Sequence, residues 1–206
     1  IKFHFRSKII LGHSIIDDLG PSIMVNDSID DQNRFNFTLA HELGHHIMHK
    51  NILINASLYD LKDDLKNKSL TSPLELQANA YAANLLLPYN VLEAQLVTGY
   101  SAYEIKHSSG VSIETIKYRV KDFLTNYFYL DSPTASLIAE NFITAYNRRT
   151  AYNTILKDLI DNSYPVTYLL SDVSATETYE KNQRILPKIL QKWEVYDQLA
   201  YGKKII

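Results

Sequence analysis

Residues 41–45 read His41-Glu42-Leu43-Gly44-His45, and this H-E-x-x-H step constrains the chain more than any other feature. Two His four residues apart on a helix project the same way, with Cβ atoms roughly 6 Å apart, so their imidazoles can share one metal ion. Glu42 lies about 60–100° round the helix from both. It can reach a metal-bound water without being a ligand, which is the geometry that metal-assisted peptide hydrolysis needs. With this chain's His and Glu content the pattern arises by chance in about one chain in a hundred. Thr38 to His49 contains no Pro and one Gly, so a helix of three or more turns is expected. Phe35, Leu39, Leu43 and Ile47 fall on one face, roughly opposite His41 and His45, while Phe37 and Met48 flank the His stripe. The pattern predicts a buried helix with an apolar back, whose wet face lines a cleft.

A zinc hydrolase site takes three protein ligands and keeps one position open for water. The extended motif H-E-x-x-H-x-x-G-x-x-H would put Gly at position 48 and His at position 51. Met48 and Asn51 exclude it. The other common solution is a Glu on a second helix, and Ser72 to Pro88 supplies one. Ser72 is a good N-cap, Pro73 fits the first helical position and Pro88 stops the helix. Glu75 lies in the first turn, where it is either the third ligand or simply a partner of the helix dipole. It stands in a more apolar setting than any other Glu after the His helix. Asn79 is one turn further on the same face and can hold a ligating His through its other ring nitrogen. Ala78, Ala80, Ala82 and Ala83 are small enough to let the two helices approach closely.

The sequence now resembles a known family. Arg34-Phe35-Asn36-Phe37-Thr38-Leu39-Ala40-His41-Glu42-Leu43-Gly44-His45-His46 is similar to the R-F-T-L-A-H-E-L-G-H signature of the ImmA/IrrE metallopeptidases. Glu75 to Pro88 resembles the second block of that family, E-x-x-A-N-x-F-A-A-x-L-L-M-P. The resemblance covers about residues 20–124. It implies His41, His45 and Glu75 as metal ligands, Glu42 as general base, a small zincin-like core and a protein substrate. Members act on Xre-type helix-turn-helix repressors, often encoded next to them, and the resemblance implies such a partner here. The departures are mild: Asn36 lengthens one spacing, Tyr81 replaces the usual Phe and Leu87 the usual Met.

On this reading the metal, most simply zinc, lowers the pKa of its water towards about 7, and Glu42 takes the proton. An N,N,O site would also accept manganese or another divalent ion. A second donor to the oxyanion would help, and of the 15 Tyr, Tyr81 is nearest the site in sequence. His49 extends the His stripe by another turn. It lies too far along the axis to complete the same tetrahedron, and is expected at the rim of the cleft or orienting substrate. His46 points to the back of the helix and reads as structural. His4, His13 and His107 have no companions.

The 206 residues carry a net charge of −2 and no Cys. That removes any bulk attraction to nucleic acid or anionic membrane, any disulfide framework, Cys-ligated zinc and thiol nucleophile. No apolar run approaches the roughly 20 residues of a membrane span, and no secretory signal is evident, so a cytoplasmic protein is expected. Because the chain begins at Ile1, residues upstream are expected.

The expected class is α+β and predominantly helical, in three parts: a metallopeptidase core over 1–98, a helix-turn-helix-like segment over 99–124 packed on it, and a mainly helical domain over 125–206. Lys8–Leu11 and Ser22–Asn26 read as short strands, the second as an edge strand where a substrate peptide could pair. Asp27–Asn33 reads as a polar loop and Asn51–Thr71 as a long polar connection. A further helix is expected near Val91–Val97. In Ser101–Phe123, Ala102–Lys106 and Ile113–Phe123 read as helices joined through Gly110 and capped by Ser112. Lys106, Lys117, Arg119 and Lys121 are set against Glu104, Glu114 and Asp122, a net of about +1, so direct DNA binding is not expected. Beyond, Asp131 starts one long helix or two, Pro165–Leu170 reads as a strand, and a final helix runs near Pro187–Tyr201. Two function classes follow: a metallo-endopeptidase that cleaves a regulatory protein, and a non-catalytic transcriptional regulator or toxin–antitoxin component that binds a repressor or DNA. Retention of Glu42 beside the three ligands favours the first.

Overall fold

In the computed structural model, which describes residues 2–3, 10–54, 58–61, 73–162 and 175–194, the first elements form a sheet around one tight hairpin. Strand β1 (Lys2–Phe3), β2 (Ile10–Asp17) and β3 (Gly20–Asn26) come first. Asp17 accepts from the Leu19 amide at 2.9 Å, and Gly20 takes φ 107°, a conformation that glycine adopts without strain. This turn carries β2 well past Leu11, where the sequence suggested it would stop. Lys8 and Ile9 lie outside the described residues. A fourth strand, β4 (Leu58–Leu61), falls inside what read as a polar connection, and pairs antiparallel with β2. The order is β1-β3-β2-β4. β3 is therefore not an edge strand along its whole length: β2 covers one side and β1 pairs in parallel with Val25 and Asn26 on the other.

Helix α1 (Gln32–Met48) starts more than a turn before Thr38, because Asp31 caps it, accepting from the amides of Asn33 and Arg34 at 2.8 and 3.2 Å. Its orientation corrects the sequence reading. Thr38, Ala40, His41, Glu42, Gly44 and His45 are buried, whereas Leu39, Ile47 and Met48 are exposed, Ile47 at 58 %. The polar stripe faces inward because its partners are there. Glu42 lies against β2, and Gly44 lies against α3 (Pro73–Leu86). A Cβ at Gly44 would stand 3.1 Å from the Tyr81 ring and 3.3 Å from Ala78 Cα, so a small residue here lets the two helices close up. Between them, α2 (Lys50–Leu53) is a single turn. Ser72 lies outside the described residues.

The chain divides into two compact units after Leu86. The second is helical throughout its described part: α4 (Tyr89–Val97), α5 (Ala102–Ser109), α6 (Ile113–Tyr127), α7 (Ser132–Ile143), α8 (Arg148–Ala151), α9 (Ile155–Asn162) and α10 (Ala175–Lys192). This division differs from the three parts read in the sequence, since α6 packs on α4, α5 and α7, and α9 packs on α4, α7 and α10. Leu92, Leu96, Ile105, Ile116, Val120, Phe123, Ile138, Phe142, Ile155 and Leu159 form its core. Gly110 ends α5 in the left-handed region (φ 63°), and Ser112 caps α6. The segment read as one long helix or two is three, because Asn147 opens α8 with its own capping box. Pro187 sits inside α10 rather than at its start. The strand read over Pro165–Leu170 lies outside the described residues, as do residues 195–201 of the last helix. The whole is a predominantly helical α+β protein.

Candidate metal centre

His41 and His45 leave α1 one turn apart, their rings edge to face with centroids 4.7 Å apart. Their Nε2 atoms converge to 3.0 Å. From the first turn of α3, Glu75 brings Oε2 to 3.1 Å from His41 Nε2 and Oε1 to 3.3 Å from His45 Nε2. Among the described residues this is the group of three whose ligand atoms could hold a metal ion, all within 4.8 Å of one another. Both His are no more than 2 % exposed, and the Glu75 side chain is 17 % exposed. Burial lifts the Glu75 carboxyl, but hydrogen bonds and charge from His41 and His45 outweigh it and hold the group down at about 2.

The donor set fits a small dication. Two ligands about 2.0–2.1 Å from a tetrahedral ion stand about 3.3 Å apart, close to the three separations here. The hydrogen bonding fits as well. His41 Nδ1 lies 3.0 Å from Asn79 Oδ1. An amide oxygen only accepts, so His41 Nδ1 donates to Asn79 and Nε2 is the atom turned towards the Glu75 carboxylate. A carboxylate and two imidazole Nε2 atoms at this spacing call for positive charge among them, supplied by protons on the rings or by a cation in their place.

Glu42, beside His41 on α1, is 1 % exposed. Ser14, fully buried on β2, donates to Glu42 Oε2 and also lies 3.0 Å from the Glu42 carbonyl oxygen. Two residues earlier, a Cβ at Gly12 would stand 2.5 Å from Glu42 Oε1, so the glycine makes room for the carboxylate. Neither Ser14 nor Gly12 was foreseen from the sequence, where a serine and a glycine in a strand carry no chemical signature.

His49 is not at a rim. It is 5 % exposed, with Nδ1 2.9 Å from His45 Nδ1 and Nε2 2.8 Å from Gln77 Oε1. Tyr81 has its ring against Gly44, where α1 meets α3. His13 and His46 are lowered by burial and do not join the cluster. Arg119, counted in the sequence among basic residues of a recognition surface, is fully buried: it donates to Leu87 O at 2.9 Å and Asp122 at 3.1 Å and lies 3.9 Å over the Tyr89 ring. No described helix is long and apolar enough to cross a membrane.

A family model described as the IrrE N-terminal-like domain, Peptidase_M78, matches residues 2–121, well over half of the chain. No curated protein matches it.

Proposed function

The chain belongs to the Peptidase_M78 family of IrrE N-terminal-like domains, and from that premise we propose that it is a metal-dependent endopeptidase that cuts an intracellular regulatory protein, an Xre-type helix-turn-helix repressor. The observation that carries this reading is the convergence of His41, His45 and Glu75 with the buried Glu42 next along α1. His41 and His45 through Nε2, and Glu75 through its carboxylate, would hold the ion, zinc in the simplest case, with manganese or another divalent ion suited to the same N,N,O set. Bound there, the ion would supply Lewis acidity, acidifying a water towards about pKa 7 and polarising the scissile carbonyl.

The remaining work falls to the side chains. Glu42 accepts a proton from the attacking water and delivers it to the amine nitrogen as the C–N bond breaks. Ser14 and the cramped space at Gly12 hold its carboxylate in place for both transfers. Asn79 keeps the His41 ring oriented. Tyr81 belongs to the same proposal as a donor to the developing oxyanion. The repressor as substrate rests on the resemblance of Arg34–His46 and Glu75–Pro88 to the ImmA/IrrE metallopeptidases.

Co-incubation with an Xre-type helix-turn-helix repressor from the same genome tests the reading. Wild type with zinc is expected to cleave it, and Glu42→Gln, which keeps all three ligands, to bind zinc but leave the repressor whole. An intact repressor with wild type, or a cut one with Glu42→Gln, would overturn the substrate or the mechanism. Binding without cleavage by wild type would instead favour the non-catalytic regulator.

A further inference from the structure

His41 and His45 present Nε2 to the same point, yet their other ring nitrogens are held differently. For His41 the acceptor is an amide oxygen, Asn79 Oδ1 at 3.0 Å. For His45 it is a second imidazole: His45 Nδ1 lies 2.9 Å from His49 Nδ1, and His49 Nε2 lies 2.8 Å from Gln77 Oε1. The proton positions along this chain follow from its far end. Gln77 Oε1 only accepts, so His49 Nε2 carries a hydrogen. In a neutral imidazole the other nitrogen is then an acceptor, so His49 Nδ1 must receive a hydrogen bond from His45 Nδ1–H. His45 Nε2 is then the atom that faces the centre, placed to give its lone pair to a cation bound there.

We propose that His49 and Gln77 are positioning residues for His45, a relay that fixes its tautomer and ring orientation and thereby sets how tightly the centre holds its metal. The proposal rests on His41, His45 and Glu75 being the ligand set. His49 is 5 % exposed, so water has little access to replace it as the acceptor. Without it, His45 Nδ1–H would be left buried and unpaired, or the ring would turn and Nε2 would leave the centre. The relay also ends on α3, the helix that supplies Glu75 and Asn79. One helix therefore provides the third ligand and, at Gln77 and Asn79, the acceptors that orient both of the others.

The test is zinc affinity of the full chain, by competition with a chromophoric chelator, together with the visible spectrum of the cobalt-loaded protein. His49→Phe keeps a ring but no acceptor and is expected to weaken zinc binding about 10–100-fold and to alter the cobalt bands. His49→Gln offers His45 an amide oxygen, as Asn79 does for His41, and is expected to recover at least about tenfold of that loss with a cobalt spectrum like wild type. Gln77→Leu, at an exposed position, is expected to weaken binding by up to about tenfold. Melting of the metal-free proteins identifies a variant that has failed to fold, and if His49→Phe is one, Gln77→Leu decides.

A folded His49→Phe that binds zinc as tightly as wild type overturns the relay alone. So does a His49→Gln as weak as His49→Phe, which would mean that the imidazole is needed for something other than its acceptor. An unaffected Gln77→Leu overturns it where His49→Phe does not fold. A wild type that binds no stoichiometric metal overturns the metal centre itself, and the relay with it.

Discussion

Ser14 reaches Glu42 across 28 residues of chain and meets both its carboxylate and its carbonyl oxygen. A hydrogen bond to a charged group contributes about 1.5–3 kcal/mol, and a buried group left without one costs a similar amount. Ser14→Ala is therefore expected to lower kcat on the proposed repressor substrate about 10–100-fold, with zinc stoichiometry unchanged. Kinetics and metal analysis on one preparation check this, and a variant with full activity would remove Ser14 from the machinery. The contrast with His41 and His45 shows what a sequence reveals at this scale. Side chains four residues apart are brought together by the helix repeat alone, so their partnership is readable from their spacing. Ser14, Gly12 and Gln77 acquire their roles only when a strand and a second helix are laid against α1. Nothing local distinguishes them from any other Ser, Gly or Gln.

At the scale of elements, caps were legible and faces were not. Ser112 and Asp131, read in the sequence as helix starts, each accept from an amide there, chemistry that a few consecutive residues determine, whereas Asp31 caps α1 from within what read as a polar loop. The inward face of α1 depends on what packs there, and its hydrophobic pattern points the wrong way: Leu39 and Ile47 are exposed while the His stripe is buried. Gly44 decides how close α1 and α3 come. Ala in place of Gly gains about 1 kcal/mol of helix propensity, but overpacking costs about 1–3 kcal/mol. The new Cβ would meet Ala78 Cα at 3.3 Å, and backbone cannot swing aside. Overpacking is expected to win, so Gly44→Ala should lower stability in urea by about 1 kcal/mol and weaken zinc binding as Glu75 is pushed from the two His. Increased stability with unchanged affinity would show that the helices have slack. The cap of α7 carries a pH dependence. Hydrogen bonds from the backbone amide and side chain of Thr134 hold the Asp131 carboxyl below its ordinary value. A lowered folded pKa means that its contribution is present above the unfolded value and is lost as pH falls through the folded one. Urea melts from neutral pH into the acid range should show Asp131→Ala costing about 1 kcal/mol at neutral pH and progressively less as the carboxyl protonates. A difference that stays constant would contradict this.

For the whole molecule, the relevant fact is which unit holds what. Ser14, His41, Glu42, His45, His49, Glu75, Gln77 and Asn79 all precede the division after Leu86. The match to the family model continues to residue 121, through α5 and most of α6. The sequence could show the helix-turn-helix pattern there because turn and caps are local. It could not show that Arg119 is inside, since a charge on an amphipathic helix normally marks the wet face. Arg119 stays buried because Leu87 O and Asp122 satisfy its guanidinium and the Tyr89 ring lies beneath it. Arg119→Ala would leave a cavity and strip Asp122 of its cation. Asp122 is part-exposed, so the loss should fall at the lower end for a broken internal ion pair, about 3 kcal/mol. If the second unit's packing served DNA contact through this residue, the variant would lose DNA binding without losing stability. The burial predicts the reverse: a marked loss of stability in urea, no change in affinity for duplex DNA, and zinc affinity equal to wild type under conditions where the variant remains folded, because no residue of the metal centre lies in that unit.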